Sequence, residues 1–175
     1  MATQLTMYFF PDSDVILDVE CPNGFEVRPL QDTDIDAYCR FRPIGGFDLW
    51  DRNMYQKYMD ESNATIMLAI DKRTGAIAAA ASAEEKRQEL GWVATHPDYR
   101  GLGLGTVVSV AAMRKLKEMG AKRFFLLTDD FREAALHIYL KLGWHPVYNT
   151  PDAEERWMAI SRKLGIPFTS VPPQN

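Results

Sequence analysis

Apolar and polar positions alternate along the chain in a way that divides it into short elements, separated by glycine, proline and acidic residues. Short apolar runs predict strands, and runs with an apolar residue at every third or fourth position predict helices. The predicted order is β-α-α-β-β-β-α-β-α-β-β. The predicted strands span 25–30, 64–70, 75–83, 88–95, 123–128, 144–148 and 156–161, and the predicted helices span 32–40, 48–60, 104–119 and 130–143.

The order of these elements predicts the fold class. A turn at 71–75 joins two strands in a hairpin, although the alanine run 78–81 favours helix over strand by intrinsic propensity. Helix 104–119 lies between two strands, which predicts a β-α-β crossover. The last two strands are predicted to close the chain as a second hairpin across 150–152. An antiparallel meander followed by one crossover predicts a mixed α/β, α+β-like fold, with helices on both faces of the sheet.

The length of 175 residues suits one domain with short extensions. The predicted domain spans residues 25–162. Residues 1–24 end in the turn cluster Cys21-Pro22-Asn23-Gly24 and are predicted to be an N-terminal arm or an extra strand. Residues 163–175 contain three prolines and are predicted to be a C-terminal tail.

The composition argues against several classes of protein. With 20 basic and 24 acidic residues the net charge is -4, whereas general nucleic-acid binders carry a basic excess. No apolar run approaches the roughly 18–20 residues of a membrane span, and residues 1–10 lack the basic start of a signal peptide. Cys21 and Cys39 lack CxxC spacing, which is typical of free thiols in a reducing compartment. A cytoplasmic protein with no nucleic-acid or membrane partner is therefore expected.

A glycine-rich loop between strand 88–95 and helix 104–119 is the most informative segment. Gly101, Gly103 and Gly105 alternate along it, and glycine leaves no Cβ between a ligand and the backbone N–H groups. The start of the helix adds unpaired N–H donors and a partial positive charge, and no carboxylate occupies its first turn. This pattern favours a phosphate or pyrophosphate site over the alternative, a tight turn that only serves packing.

Three phosphate-binding motifs compete for this loop. A Walker loop requires lysine after the last glycine, and Gly105 is followed by Thr106 instead. A dinucleotide fingerprint stays open, because Asp129 follows at roughly the distance of its acidic residue. Against it, residues 97–100 separate the strand from the glycines, whereas that fingerprint turns tightly out of the strand.

The third motif is that of coenzyme A. Residues 100–105, Arg-Gly-Leu-Gly-Leu-Gly, resemble the acetyl-CoA motif Arg/Gln-x-x-Gly-x-Gly/Ala of the GCN5-related N-acetyltransferase (GNAT) family, preceded by its Val-x-x-x-Pro-x-Tyr stretch at 93–99. Residues 135–144 resemble the family's Ala-x-x-x-Tyr-x-x-x-Gly-Phe segment. The resemblance covers about residues 25–162. It implies the GNAT fold, a central mixed, mostly antiparallel twisted sheet of six to seven strands flanked by about four helices.

The resemblance also implies acetyl-CoA as the cosubstrate. Residues implied to bind it are Val93, Ala94, Thr95, Arg100, Gly101, Leu102, Gly103, Leu104, Gly105 and Thr106. Arg132 stands where many members carry an asparagine that contacts the cofactor, and it is a further candidate. The three histidines have no second ligand at metal spacing, so no metal site is predicted.

Acetyl transfer to an amine requires a proton acceptor for the amine and a proton donor for the departing thiolate. Through the resemblance Tyr139 is the candidate general acid, with a packed core aromatic as the alternative. Glu89 is the candidate base, because strand alternation places it on the side of Gly91, Val93 and Thr95 unless a bulge intervenes. Its rivals Glu84 and Glu85 are expected to be solvated. The acceptor wall is expected at Arg42, Gly45, Gly46 and Trp50.

The sequence therefore predicts an acetyl-CoA-dependent N-acetyltransferase. The acetyl group is expected to pass to a primary amine of a small molecule or peptide by direct attack in a ternary complex. Two alternatives stay open: a non-catalytic acyl-CoA-binding or sensor module, and a dinucleotide-binding redox domain. The closing hairpin and the N-terminal arm are candidate surfaces for a homodimer.

Overall fold

The structure is a computed structural model that describes residues 3–173. The described part contains seven strands, five α-helices and two short 3-10 helices, Asp32–Asp34 and Pro97–Tyr99. The elements are β1 Leu5–Phe9, β2 Phe25–Pro29, α1 Ile35–Ile44, α2 Arg52–Ser62, β3 Ala64–Asp71, β4 Ile77–Glu84, β5 Glu89–Thr95, α3 Leu104–Glu118, β6 Phe124–Thr128, α4 Glu133–Lys141, β7 His145–Val147 and α5 Ala153–Leu164. These elements and their mostly antiparallel pairing confirm the predicted mixed α/β fold class.

The described chain forms two compact units, residues 17–121 and residues 3–16 with 122–173. In the unit 17–121, strands pair in the order β2-β3-β4-β5, each antiparallel to its neighbour. The turn predicted at 71–75 joins β3 to β4, which confirms the first hairpin. Helix α3 packs against β3, β4 and β5.

Strand β4 is an alanine strand. Ala78, Ala79, Ala80 and Ala81 are each 0% exposed. Their helix propensity is overridden because β4 lies between two paired strands, where small side chains let neighbouring elements approach closely. An apolar cluster beneath α1 and α2 includes Tyr38, Phe41, Leu68, Ala80 and Ala94. This face of the strands is therefore the one that α1 and α2 cover.

In the other unit, strand β1 pairs with β6 on one side and β7 on the other, both antiparallel. Leu5, Met7 and Phe9 are almost fully buried, and the Phe9 ring stacks on Phe124 at 5.6 Å. Part of the predicted N-terminal arm is thus a buried strand, whereas 10–24 contains no helix or strand.

The predicted closing hairpin is wrong. Residues 156–161 lie inside helix α5, which buries Ala153, Trp157 and Ile160 at the four- and three-residue spacing of one helix face. Gly165 ends the helix in the left-handed conformation, at φ 67°. Six residues read as a strand were too short a window to separate a two-residue period from a helical one.

Several predicted helix ends also differ from the structure. Helix α1 extends past its predicted end at residue 40 to Ile44, with Pro43 in its last turn. Helix α4 begins at Glu133 rather than at residue 130, with Arg132 at the N-cap. The Asp130 carboxylate pairs with the Arg156 guanidinium on α5. None of the helices in residues 3–173 has the length and apolar character that crossing a bilayer requires.

Candidate active site

The glycine loop follows β5 through the short helix Pro97–Tyr99. The Tyr99 hydroxyl donates a hydrogen bond to Asp71 Oδ2 at 2.9 Å, and its ring packs edge-on against Phe25 at 5.7 Å. Hydrogen bonds from Arg73 N and then from this hydroxyl help to lower the pKa of Asp71. Tyr99 therefore anchors the loop to the far end of the β3–β4 hairpin, a contact that the sequence did not reveal.

Gly101 and Gly103 both adopt the left-handed conformation, at φ 78° and 77°, which favours glycine. A Cβ at either position would meet nothing within 4 Å, so open space lies in front of this stretch of backbone. Gly103 is the N-cap of α3, and the first turn of α3 contains no acidic residue. The first N–H groups of a helix lack intrahelical acceptors. Open space beside free N–H donors makes the loop and the helix start suited to a phosphate group.

Strand β5 contains a β-bulge at Trp92 and Val93, which together stand opposite Ala81 of β4. Trp92 has the left-handed φ of 51°. A bulge interrupts the ladder and leaves one residue of the bulged strand unpaired. Backbone groups of β5 are therefore available here for a ligand, next to the residues predicted to hold one.

The bulge changes which β5 residues share a face. Glu89 stands opposite Glu84, and Ala94 stands opposite Ala80. Directly opposed residues point to the same side of a sheet, and residues 80 and 84 of β4 share a face by alternation. Glu89 therefore shares its face with Ala94 and not with Thr95, contrary to uninterrupted alternation. It lies on the side that α1 and α2 cover.

Two buried carboxylates face each other across β4 and β5. Glu84 is 4% exposed and Glu89 is 8% exposed, so the prediction of a solvated Glu84 is wrong. Burial, and then the charge of Glu84, raises the pKa of Glu89 to about 7. Arg87 Nη2 lies 3.0 Å from Glu89 Oε2 and opposes this rise, but this oxygen has no hydrogen bond of good geometry in the described residues. Glu89 can therefore exchange a proton near neutral pH.

Glu84 is held by side chains that sequence analysis did not place in the site. Tyr58 of α2 donates a hydrogen bond to Glu84 Oε1 at 2.9 Å, and its hydroxyl also contacts the Ser82 hydroxyl. Burial raises the pKa of Glu84, and the Tyr58 hydrogen bond opposes that shift. Burial, and then the charge of Glu84, raises the pKa of Tyr58. Tyr58 stays protonated and orients Glu84.

The predicted acceptor wall lies at the end of α1 and in the segment that follows it. A Cβ at Gly45 would come within 2.5 Å of the Ala94 Cβ, so this glycine is required by the close approach of α1 to β5. Trp50 precedes α2 and packs against Tyr58 at 5.0 Å and Trp92 at 5.6 Å between ring centres. Arg42 is buried beside both tryptophans. The wall residues thus adjoin the carboxylate pair within one unit.

Tyr139 and Arg132 belong to the other unit. Tyr139 is 6% exposed on α4, with its ring 6.1 Å from that of Trp144. Burial raises the pKa of Tyr139, and the Arg132 charge opposes the shift. Tyr139 therefore keeps its proton at neutral pH, as a general acid must before it donates. Arg132 Nε donates to Asp129 Oδ2 at 3.1 Å.

No group of three or more His, Cys, Asp or Glu side chains in residues 3–173 is arranged to hold a metal ion. His96 accepts a hydrogen bond from Asp98 N through Nδ1 at 3.2 Å and begins the short helix before the glycine loop. His145 Nε2 lies 3.0 Å from Asp14 Oδ2. These two histidines have local structural partners.

The sequence is similar to that of known acetyltransferases. Residues 30–144 match the family model described as "Acetyltransferase (GNAT) family". The chain is 35% identical over 121 residues to an amino-acid acetyltransferase of Pasteurella multocida (strain Pm70), which covers 66% of this chain and 26% of that protein. It is 38% identical over 52 residues to a mycothiol acetyltransferase of Paenarthrobacter aurescens (strain TC1), covering 30% of this chain and 16% of that one. The chain thus spans only a minor part of these relatives.

Solved structures share the fold at lower identity. A GCN5-related N-acetyltransferase from Sphaerobacter thermophilus superimposes with a TM-score of 0.68 at 16% identity, over 82% of this chain and 49% of that one. The ribosomal-protein-S18-alanine N-acetyltransferase from Escherichia coli gives 0.57 at 22% identity, over 68% and 76% respectively.

Proposed function

Because this chain belongs to the acetyltransferase (GNAT) family, we propose that it is an acetyl-CoA-dependent N-acetyltransferase that acetylates a primary amine of a small molecule or peptide. The observation that carries this proposal is the glycine loop at the start of α3. Its two left-handed glycines face open space beside a helix N-terminus without acidic residues. Such a site suits the pyrophosphate of coenzyme A, which residues 100–106 would hold.

The bulged strand β5 supports the placement of the acetyl-pantetheine arm. Val93 lies in the bulge of the β4–β5 ladder, which leaves one residue of β5 without a strand partner, and Ala94 and Thr95 follow it opposite Ala80 and Ala79 of β4. A backbone N–H of this stretch would stabilise negative charge that develops on the thioester oxygen. Arg132 would contribute a positive charge toward a coenzyme A phosphate, as the family resemblance suggests.

Acetyl-CoA supplies an activated acetyl group: a C–N bond to the acceptor forms as the C–S bond breaks. Glu89 would accept the proton that the amine loses, since its pKa of about 7 lets it be ionised under mildly basic conditions. Tyr139 would donate a proton to the departing sulfur. Its raised pKa makes it a weak acid, so donation would have to be concerted with C–S cleavage.

The proposal includes direct attack by the amine on acetyl-CoA in a ternary complex. It is supported by the candidate base Glu89 and the adjoining acceptor wall, which would hold and deprotonate the amine. A double-displacement route would instead need a nucleophile that carries the acetyl group. Cys39 is buried and its pKa is raised by burial, which disfavours a reactive thiolate.

The test combines binding and turnover. Calorimetry should detect acetyl-CoA and CoA binding and no NAD binding, and an amine panel followed by free-thiol detection and mass spectrometry should reveal N-acetylated product. Acetyl-CoA binding without product from any amine would favour the sensor alternative. Binding of NAD in place of acetyl-CoA would overturn the proposal in favour of a redox domain.

A cytoplasmic location and a homodimer remain predictions. Both cysteines are free thiols, Cys21 at the surface and Cys39 in the interior, which supports a reducing compartment.

A further inference from the structure

Arg42 is a buried cation without an acidic partner. It lies near the end of α1, is 1% exposed, and is among the largest fully buried side chains of the described chain. No carboxylate in residues 3–173 forms an ion pair with it. Removing a charge from water is costly unless it is paired. Such a residue is usually retained for a partner that compensates the charge.

Three aromatic rings surround the Arg42 guanidinium. The Cζ atom lies 3.4 Å from the Trp50 ring centre, 4.3 Å from that of Trp92 and 5.5 Å from that of Phe47. Cation–π contacts of this kind offset part of the desolvation cost. A guanidinium has five N–H donors, and tryptophan and phenylalanine rings offer them no oxygen or nitrogen acceptor.

The Arg42 guanidinium does not have a hydrogen-bond acceptor for each of its nitrogen atoms. Nε donates to the Asp48 carbonyl at 3.1 Å, and Nη1 makes a long contact of 3.4 Å with the Tyr38 hydroxyl. Nη2 is buried and has no acceptor among the described residues. A buried guanidinium with an unsatisfied N–H group is suited to a carboxylate, which accepts hydrogen bonds from arginine.

Arg42 lies in the same aromatic cluster as Tyr58, which contacts Glu84 of the carboxylate pair Glu84 and Glu89. Trp50 and Trp92 contact Arg42 on one side and Tyr58 on the other, with 5.0 and 6.2 Å between ring centres. Tyr58 in turn hydrogen bonds to Glu84, which stands opposite Glu89. A positive group and a negative pair thus lie in one aromatic cluster, on the same face of the strands. A small molecule with a carboxylate and an amine matches both.

We propose that Arg42 binds a carboxylate of the acceptor, and that the acceptor is a small amine carrying a carboxylate, such as a free amino acid. This rests on the proposed acetyltransferase function and narrows its acceptor class. Nη2 is buried, so the acceptor reaches it as Phe47 and Trp50 shift. Both rings are only partly buried and lie in the segment between α1 and α2, which has no regular secondary structure.

The first experiment compares matched acceptors with the wild-type chain. L-leucine, L-phenylalanine and glycine are each compared with the corresponding α-amide, with acetyl-CoA saturating. Conversion to the amide lowers the amine pKa and leaves more free amine, so chemical reactivity alone favours the amides. We expect kcat/KM to be at least tenfold higher for the best free acid than for its amide, about 1.4 kcal/mol.

The second experiment tests Arg42 itself. Arg42→Gln should remove the preference for acid over amide, mainly by raising KM for the acid, and should leave acetyl-CoA affinity unchanged. Arg42→Lys keeps the charge but loses the planar fork, so it should retain part of the preference. Arg40→Gln is the matched control, because Arg40 is exposed on the same helix, and it should behave as wild type.

The possible outcomes distinguish failure of the role proposed for Arg42 from failure of the proposed acetyltransferase function. Equal use of acids and amides, or acetylation only of amines without a carboxylate, would overturn the role of Arg42 and leave acetyltransferase activity standing. Failure to bind acetyl-CoA or to acetylate any amine would overturn both. If Arg42→Gln does not fold, the comparison of acids with amides on the wild-type chain still decides.

Discussion

Replacement of Glu89 by glutamine should separate stability from activity. The pKa of Glu89 is raised from 4.5 to about 7, first by burial and then by the charge of Glu84. Well below pH 4.5 the carboxyl is protonated in both the folded and the unfolded chain, so its burial in the charged form does not lower the free energy of unfolding. As the pH rises toward 7 and beyond, the unfolded chain releases this proton more readily, so the folded state loses stability. The shift corresponds to about 3 kcal/mol at most, at about 1.4 kcal/mol per pKa unit.

Glutamine is neutral at every pH and nearly the same size. Glu89→Gln should therefore exceed wild type in free energy of unfolding by about 1 kcal/mol at pH 5, where the unfolded carboxyl is already mostly ionised, and by up to about 3 kcal/mol at pH 8. The same change removes the proposed base, which typically contributes a factor of about 10² to 10⁴ in rate. Wild-type kcat/KM should rise with pH through about 7 as Glu89 ionises, and the variant should lose this limb.

The assay is urea unfolding at pH 5 and pH 8, with kcat/KM measured on the same preparations. Glu61→Gln is the matched control, because Glu61 is exposed on α2 and makes only a distant contact of 3.8 Å with Lys57. Its unfolding free energy should change by less than about 0.5 kcal/mol at either pH. A Glu89→Gln chain with full activity, or with the same stability difference at both pH values, would refute the reasoning.

Three further outcomes are expected. Gly103→Ala should weaken acetyl-CoA binding at least tenfold by calorimetry. Gly120→Ala strains another left-handed glycine that faces open space, so this control should lose similar stability and no acetyl-CoA affinity. Equal losses of affinity in the two variants would show that the glycine loop does not bind acetyl-CoA. Tyr139→Phe should lower kcat about 10²-fold with acetyl-CoA affinity unchanged, and a fully active variant would leave Tyr139 a core residue. Glu84→Gln removes the like charge beside Glu89, which should lower the pKa of Glu89 and move the acidic limb of the kcat/KM profile to lower pH. An unchanged pH profile would show that the charge of Glu84 does not affect the base.

The glycine loop could be predicted from sequence because its signal is local. Left-handed backbone at Gly101 and Gly103, and a helix start without acidic residues, follow from consecutive residue types. Most strands and helices were predictable for the same reason, since each pattern extends over enough residues to show its period. Where the window shortened to 156–161, the period was misjudged and a helix was taken for a strand.

The carboxylate cluster could not be predicted because tertiary packing creates it. Glu84 is followed by charged residues, which suggested a solvated turn, and only its place opposite Glu89 and beneath Tyr58 buries it. Gly91 beside Trp92 is only a weak signal of the bulge, yet the bulge determines which β5 residues share a face. Tyr58 and Arg42 lie far from both carboxylates in sequence, so no spacing rule connects them.

The alanine strand β4 has a consequence for the order of folding. Alanine favours helix over strand and offers little side-chain surface, so residues 77–83 have no intrinsic reason to become extended before their neighbours are in place. We expect β4 to form late, together with the docking of α3 against it. Pulse-labelled hydrogen exchange during refolding would then show the amides of β4 and α3 gaining protection in one step, and early protection of β4 alone would contradict this. The strand that supports Glu84 would be among the last parts of the chain to become ordered.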